Sequence, residues 1–125
     1  MKKLFISCPM KGRTREAIEE SMEVMKQIAE SMWGEELEFI QTYIDINPPK
    51  DTHEGLWYLG KSIEKMAEAD YFIGCCNADV IRGEGEFTGC EVERHAAIGY
   101  GIPNKIISCR DFNCFADIWK NTEGE

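Results

Sequence analysis

With 125 residues, 43% of them hydrophobic and 30% charged, the chain has the size and composition of one globular domain with a core of its own. A net charge of −9 excludes the clustered cationic surface that binding along a nucleic-acid backbone requires, so no nucleic-acid polymer is expected as a partner. The N-terminal apolar run Leu4-Phe5-Ile6 is too short for the core of a signal peptide, and no stretch reaches the length of a membrane span. The expectation is a cytoplasmic protein without a membrane partner.

In chain order, Lys3 to Ser7 is a short apolar run ended by Cys8-Pro9, which suits a buried parallel strand. The loop Pro9-Met10-Lys11-Gly12-Arg13 leads into a helix capped by Thr14, in which Ile18, Met22, Met25, Ala29 and Met32 form one inward stripe and Glu19, Glu23, Lys26 and Glu30 face water. Gly34 ends this helix. Leu37 to Tyr43 reads as a second strand, and Asn47-Pro48-Pro49 breaks any regular continuation. A helix is predicted from about Gly55 to Glu68, with Leu56, Leu59, Ile63, Met66 and Ala67 as its core stripe. Trp57 and Tyr58 project to its other faces and suit a pocket wall, a subunit contact or partial burial under the preceding loop.

Asp70 to Cys76 is the third strand, followed by a long glycine-bearing loop from Asn77 to Glu86 of the kind that carries active sites. The next helix enters at Thr88 or Gly89 and leaves at Gly99 or Gly101, because Thr accepts from free first-turn N–H groups and Gly tolerates a left-handed exit. Asn104 to Cys109 is the fourth strand and Phe112 to Lys120 a last short helix. Regular alternation of strand and helix predicts an α/β fold: a parallel sheet covered by helices on both faces, with right-handed crossovers. Ligands of such sheets bind at the carboxyl ends of the strands.

Six cysteines in a chain without a visible leader are expected to be free thiols. Cys8, Cys75, Cys76, Cys90 and Cys109 fall at strand ends or in the loops after them and would gather along one sheet edge. No Cys-x-x-Cys pair with zinc spacing exists, so neither a metal nor a cofactor is expected. No Ser-His-Asp order and no phosphate-loop motif is present, which removes acyl transfer and P-loop chemistry.

Glu93 is the candidate reactive group. It lies near the start of a helix that follows a buried strand, close to the positive end of the helix dipole and facing the ligand edge. Lys11 and Arg13, just before a helix N-terminus, are read either as an anion site for a phosphate or as solvated cations. Asn77 and Asp79 are placed to meet sugar hydroxyls or simply to form turns. Glu91 points well away around the helix from Glu93; His95 is on another face, and His53 is expected to be exposed in a loop.

Gly89-Cys90-Glu91-Val92-Glu93, followed eight residues after Glu93 by Gly101-Ile102-Pro103, resembles the Gly-Thr-x-x-Glu and Gly-x-Pro motifs of the nucleoside 2-deoxyribosyltransferase-like superfamily. The opening Phe5-Ile6-Ser7-Cys8-Pro9-Met10-Lys11-Gly12 and the Trp57-Tyr58-Leu59-Gly60 box are similar to its small phage and bacterial members, most without an assigned activity. The resemblance spans roughly residues 3 to 108.

It implies a single-domain flavodoxin-like or Rossmann-like three-layer sandwich with four or five parallel strands in the order 2-1-3-4. It also implies a homo-oligomer whose neighbouring subunits complete the site, a nucleoside or nucleotide ligand, and Glu93 as nucleophile at C1′. An acidic side chain, here Asp79, Glu84 or Glu86, would handle the proton of the leaving base. Ser7, Cys8, Pro9, Met10, Lys11, Gly12, Arg13, Asn77, Gly89 and Cys90 would line the substrate. The chain departs from the pattern at Phe87, where the family has an Asp, at Phe5, where it often has a nucleophile-orienting Tyr, and at Cys90, where it has a Thr. The functional expectation is therefore twofold: glycosidic bond transfer or hydrolysis through Glu93, or a non-catalytic nucleotide-binding protein on the same fold.

Overall fold

In the computed structural model, which describes residues 1–8, 13–42, 46–75 and 88–107, strand and helix alternate through the described residues. The elements are β1 (Lys2–Ile6), α1 (Arg15–Trp33), β2 (Leu37–Phe39), α2 (Glu54–Met66), β3 (Tyr71–Cys75), α3 (Thr88–Gly99) and β4 (Asn104–Ile107). The four described strands form one all-parallel sheet in the order β2-β1-β3-β4, with Leu4 paired to Phe39 on one side and to Tyr71 on the other. β1 is therefore central, and the apolar character of Leu4, Phe5 and Ile6 follows from burial on both faces.

Strand alternation sends these side chains to two separate cores. Leu4 and Ile6 join Leu37, Ile73 and Ile107 under Ile18, Met22, Met25 and Ala29 of α1. Phe5 and Phe72 point the other way, stack at 5.6 Å between ring centroids, and pack with Ile40, Met66 of α2 and Ala97 of α3. One helix on one face and two on the other make the three-layer α/β sandwich expected of the alternating sequence. Among the described residues no helix is long and apolar enough to cross a membrane.

Helix ends follow local chemistry. Thr14 Oγ1 accepts from the Ala17 N–H at 3.1 Å, and Gly34, with φ of 71°, closes α1 through its N–H to the Glu30 carbonyl. His53 is exposed, as read from the sequence, but its Nδ1 also caps α2 by accepting from the Leu56 N–H at 3.3 Å.

Several boundaries and faces differ from expectation. The β2 ladder covers Leu37–Phe39 and not the longer run, because β1 continues past Leu4 paired with β3 alone; Ile40 still donates to the Leu4 carbonyl at 2.9 Å. α2 stops at Met66 rather than Glu68, its end tightened by N–H bonds from Ala67, Glu68 and Ala69 to carbonyls three residues back. Its predicted stripe is buried only in part, with Leu59 and Ile63 half-buried. Met66 is buried, whereas Leu56 is 64% exposed and Ala67 is exposed, because Ser62 and Met66, one turn apart, face the sheet. Met32, placed in the α1 stripe, is likewise exposed. The expected helix at 112–120 lies outside the described residues.

Gly74 of β3 shows how closely the second core is filled. A Cβ there would stand 2.9 Å from Cε1 and 3.3 Å from Cζ of Phe72, whose ring is buried against Phe5 and has no room to yield. Gly74→Ala is expected to lower unfolding free energy by about 1–3 kcal/mol, the usual cost of overpacking, as measured by urea denaturation.

Candidate functional site

The site is built where β1 runs out. Ser7 follows the last strand residue, and its N–H donates to the Ile73 carbonyl at 2.9 Å, so its backbone is fixed to β3. Alternation places its side chain on the face of Phe5, towards α2 and α3. On α3, Ala97 is wholly buried against that face, and Glu93, one turn earlier, is carried to it by the same helical stripe. On α2, Ser62 stands one turn before buried Met66.

These three side chains meet. Ser7 Oγ donates to Glu93 Oε1 at 2.7 Å and Ser62 Oγ donates to Oε2 at 2.5 Å. Glu93 is only 7% exposed, and among the described residues no cation pairs with it. Arg94, its neighbour in sequence, donates instead to Glu91 at 3.0 Å, and His95 also lies 3.2 Å from Glu91 on the outer helix surface. Burial pushes the Glu93 carboxyl above the usual carboxylate range, and the hydrogen bonds from Ser62 and Ser7 pull it part of the way back.

Cys90, one turn before Glu93, is buried in the same apolar cluster as Cys75. Contact with Cys75 and burial hold its thiol well above the ordinary range, so it is a neutral S–H group at physiological pH. Gly89 precedes it, with the Leu59 side chain of α2 alongside. At the end of β1, Cys8 is buried and contacted by Arg13 Nη1 at 3.4 Å; the same guanidinium donates to Ser21 Oγ at 2.6 Å and to the Ala17 carbonyl at 3.3 Å. Arg13 is thus laid along the first turns of α1.

Of the residues singled out from the sequence, Ser7, Cys90 and Glu93 converge around the ends of β1 and β3, with Gly89 beside them and Cys8 and Arg13 across the end of β1. Pro9, Met10, Lys11, Gly12, Asn77, Asp79, Glu84 and Glu86 lie outside the described residues. Sequence reasoning misses Ser62. Its only signal is a small polar residue at the core-facing position one turn before Met66. Cys8, Cys75 and Cys90 are thiols and form no disulfide, and no group of three or more His, Cys, Asp or Glu among the described residues is placed to hold a metal ion. An open groove of about 210 Å³ between α1 and the outer edge of β2, lined by Ile18, Met22 and Phe39, shares no residue with this cluster.

Compared with known proteins, the chain matches no family model, and no curated protein or solved structure is significantly similar to it. The site has therefore to be read from its own chemistry. An ionised carboxylate held on both oxygens by neutral donors is fixed in plane and direction, yet each oxygen keeps a lone pair for a reacting atom.

That arrangement has a stability signature. Because the folded protein binds the Glu93 proton more readily than the unfolded chain does, the ionised group costs stability at neutral pH. The cost is withdrawn as pH falls through the raised folded midpoint towards the ordinary carboxylate value. Glu93→Gln, which keeps the shape without the charge while one serine hydroxyl turns to accept from the new amide N–H, is expected to be at least as stable as the wild type at pH 7, with any advantage shrinking as the pH is lowered. Glu93→Ala, which leaves two buried hydroxyls without a partner, should lose about 1–3 kcal/mol in urea unfolding.

Proposed function

We propose that Glu93 is the reacting carboxylate of an enzyme that breaks or transfers the N-glycosidic bond of a nucleoside or nucleotide. The observation that carries this reading is a buried carboxylate that no cation among the described residues pairs with, gripped by Ser7 and Ser62 at the carboxyl edge of a parallel sheet. Such a group is expensive to keep for structure alone, and buried carboxyls with a raised pKa cluster at reactive sites.

Glycosidic cleavage passes through an oxocarbenium-like state at C1′, which a fixed carboxylate stabilises or captures covalently. In this reading a Glu93 oxygen bonds to C1′ while the C1′–N bond breaks. Its electron pair leaves with the base, which takes a proton from an acidic side chain. A second base or water then attacks C1′ and releases Glu93. Asp79, Glu84 and Glu86 are the proposed proton donors, and Lys11 and Arg13 the proposed partners of a 5′-phosphate. Ser7 supports the reading in a specific way. The family resemblance points to a strand-1 hydroxyl at the position of Phe5; here a hydroxyl reaches Glu93 from two residues further along, on the same face of the chain.

The same proposal takes the protein as a cytoplasmic homo-oligomer acting on a free small molecule. Exposed Leu56 on α2 and Val92 and Ile98 on α3 support a contact with a second copy. One observation favours the alternative of a binding protein without turnover. Both carboxylate oxygens are already engaged, so Glu93 also serves as a latch between β1, α2 and α3.

Incubation with deoxy- and ribonucleosides and their 5′-monophosphates, with free base followed by chromatography, distinguishes the two. The enzyme reading predicts base release by the wild type and loss of at least about a thousandfold in Glu93→Ala and Glu93→Gln alike. No release, with a nucleotide-dependent rise in melting temperature, would replace it with the binding protein.

A further inference from the structure

Thr42 is the buried polar residue that the fold leaves without a task. It is 3% exposed, and among the described residues its Oγ1 has no hydrogen-bond partner. Buried hydroxyls are normally paired, and one left unpaired lowers the stability of the fold. The other buried polar side chains of the described residues are engaged: Ser7 with Glu93, Glu93 with Ser7 and Ser62, and Ser21 with Arg13. Thr42 is the exception among them.

Its place beside the sheet gives the unpaired hydroxyl a direction. Ile40 donates to the Leu4 carbonyl at 2.9 Å and packs with Phe5, Met66 and Ala97 on the face of α2 and α3. Gln41 lines the groove with Ile18 and Phe39 on the face of α1. Successive side chains of extended chain alternate, so Thr42 turns back to the face of α2 and α3. Counted on from the pairing of Leu4 with Phe39, it falls level with Ser7 on the neighbouring strand. Adjacent strands run about 4.8 Å apart. Thr42 therefore stands one strand's width from the residue whose hydroxyl holds Glu93, on the same face and at the same carboxyl edge.

We propose that Thr42 belongs to the ligand site, where its hydroxyl pairs with a ring hydroxyl, at C2′ or C3′, of the sugar of a bound nucleoside or nucleotide. The contact rests on the reading of Glu93 as the group that meets C1′. The displacement selects the sugar. A leaving base departs from the side of C1′ opposite the attacking carboxylate, so what lies against the strands beside Glu93 is the sugar and not the base. The 5′ end is assigned to Lys11 and Arg13, which leaves the ring hydroxyls for Thr42. A threonine hydroxyl both donates and accepts, as a sugar hydroxyl does. A ligand that lacks the hydroxyl leaves Thr42 unpaired, and the orphan of the ligand-free protein thereby becomes a source of specificity.

Thr42→Val, which keeps the shape and removes the hydroxyl, and Thr42→Ser, which keeps the hydroxyl, test the contact. In the ligand-free protein Thr42→Val is expected to raise the melting temperature by about 3 °C or more, because an unpaired buried hydroxyl is replaced by a methyl group. Binding is read by equilibrium dialysis in a Glu93→Gln background, which consumes no ligand. The probes are adenosine and uridine, each as the ribonucleoside, the 2′-deoxynucleoside and the 2′,3′-dideoxynucleoside. Thr42→Val should weaken binding of the forms that carry the paired hydroxyl about tenfold, and leave the dideoxy forms unchanged or more tightly bound. Thr42→Ser should bind as the parent does.

A Thr42→Val protein that is more stable but binds every form as before overturns the proposal. Equal loss for all forms also overturns it, since shape rather than the hydroxyl would then explain the residue. A lower melting temperature in Thr42→Val contradicts it as well, because the hydroxyl would already be satisfied in the ligand-free protein. Discrimination at Thr42 without base release by the wild type would refute the enzyme reading and leave the contact standing. A parent protein that binds none of the probes removes the nucleoside reading and the contact together.

Discussion

The structure turns on one buried junction between the sheet and two of its helices: the Glu93 carboxylate between the hydroxyls of Ser7 and Ser62. Each partner comes from a different element. β1 brings Ser7, α2 brings Ser62 and α3 brings Glu93 itself, so the junction exists only when the sheet and both helices of that face are assembled. The second core, with Phe5 stacked on Phe72 and Met66 and Ala97 above them, sets their separation. Without that packing the carboxylate would be solvated and its pKa ordinary. With it, Glu93 is buried and oriented, and no cation among the described residues pairs with it.

The opposite edge of the sheet shows what a purely structural solution looks like in the same molecule. There Tyr71 stacks on Trp33 at 4.5 Å, donates to Glu35 at 2.9 Å and lies beneath the Lys2 ammonium. The Lys3 N–H donates to Asp70, and Lys3 is paired with Glu68. Charges at that edge are exposed and matched with opposite charges, which makes each one cheap and individually dispensable. Among the described residues Glu93 is the reverse on every count: buried, unmatched in charge and held by neutral groups. The contrast between the two edges is the strongest structural reason to read it as a group kept for what it does.

Much of this is legible in the chain. Strands buried on both faces must be short apolar runs, and three of the four match the sequence pattern to within a residue or two at their ends. The order β2-β1-β3-β4 agrees with the order implied by the family resemblance. Glu93 is legible because it lies near the start of a helix that follows a buried strand, facing the carboxyl edge of the sheet. Its grip is not. A serine in a helix looks the same whether it faces water or a carboxylate, and α2 carries apolar residues on several sides, so its periodicity admits more than one rotation. Periodicity favours Leu56, Leu59, Ile63, Met66 and Ala67; packing buries Met66, half-buries Leu59 and Ile63, leaves Leu56 and Ala67 exposed and turns Ser62 inward. Ser7 reads from sequence as a substrate contact, since nothing local tells a strand-end hydroxyl that its partner lies 86 residues away.

The central claim is that Glu93 is the group that reacts at C1′, and the most direct measurement is to catch it doing so. The protein is incubated with a nucleoside whose sugar carries fluorine at C2′, which destabilises the oxocarbenium-like state and slows turnover of any glycosyl intermediate. It is then quenched in acid, digested and analysed by mass spectrometry. The account predicts one added sugar on the peptide containing Glu93, with free base released in equal amount and neither seen in Glu93→Gln. Base release with the sugar on a different residue, or undiminished release by Glu93→Gln, would contradict it.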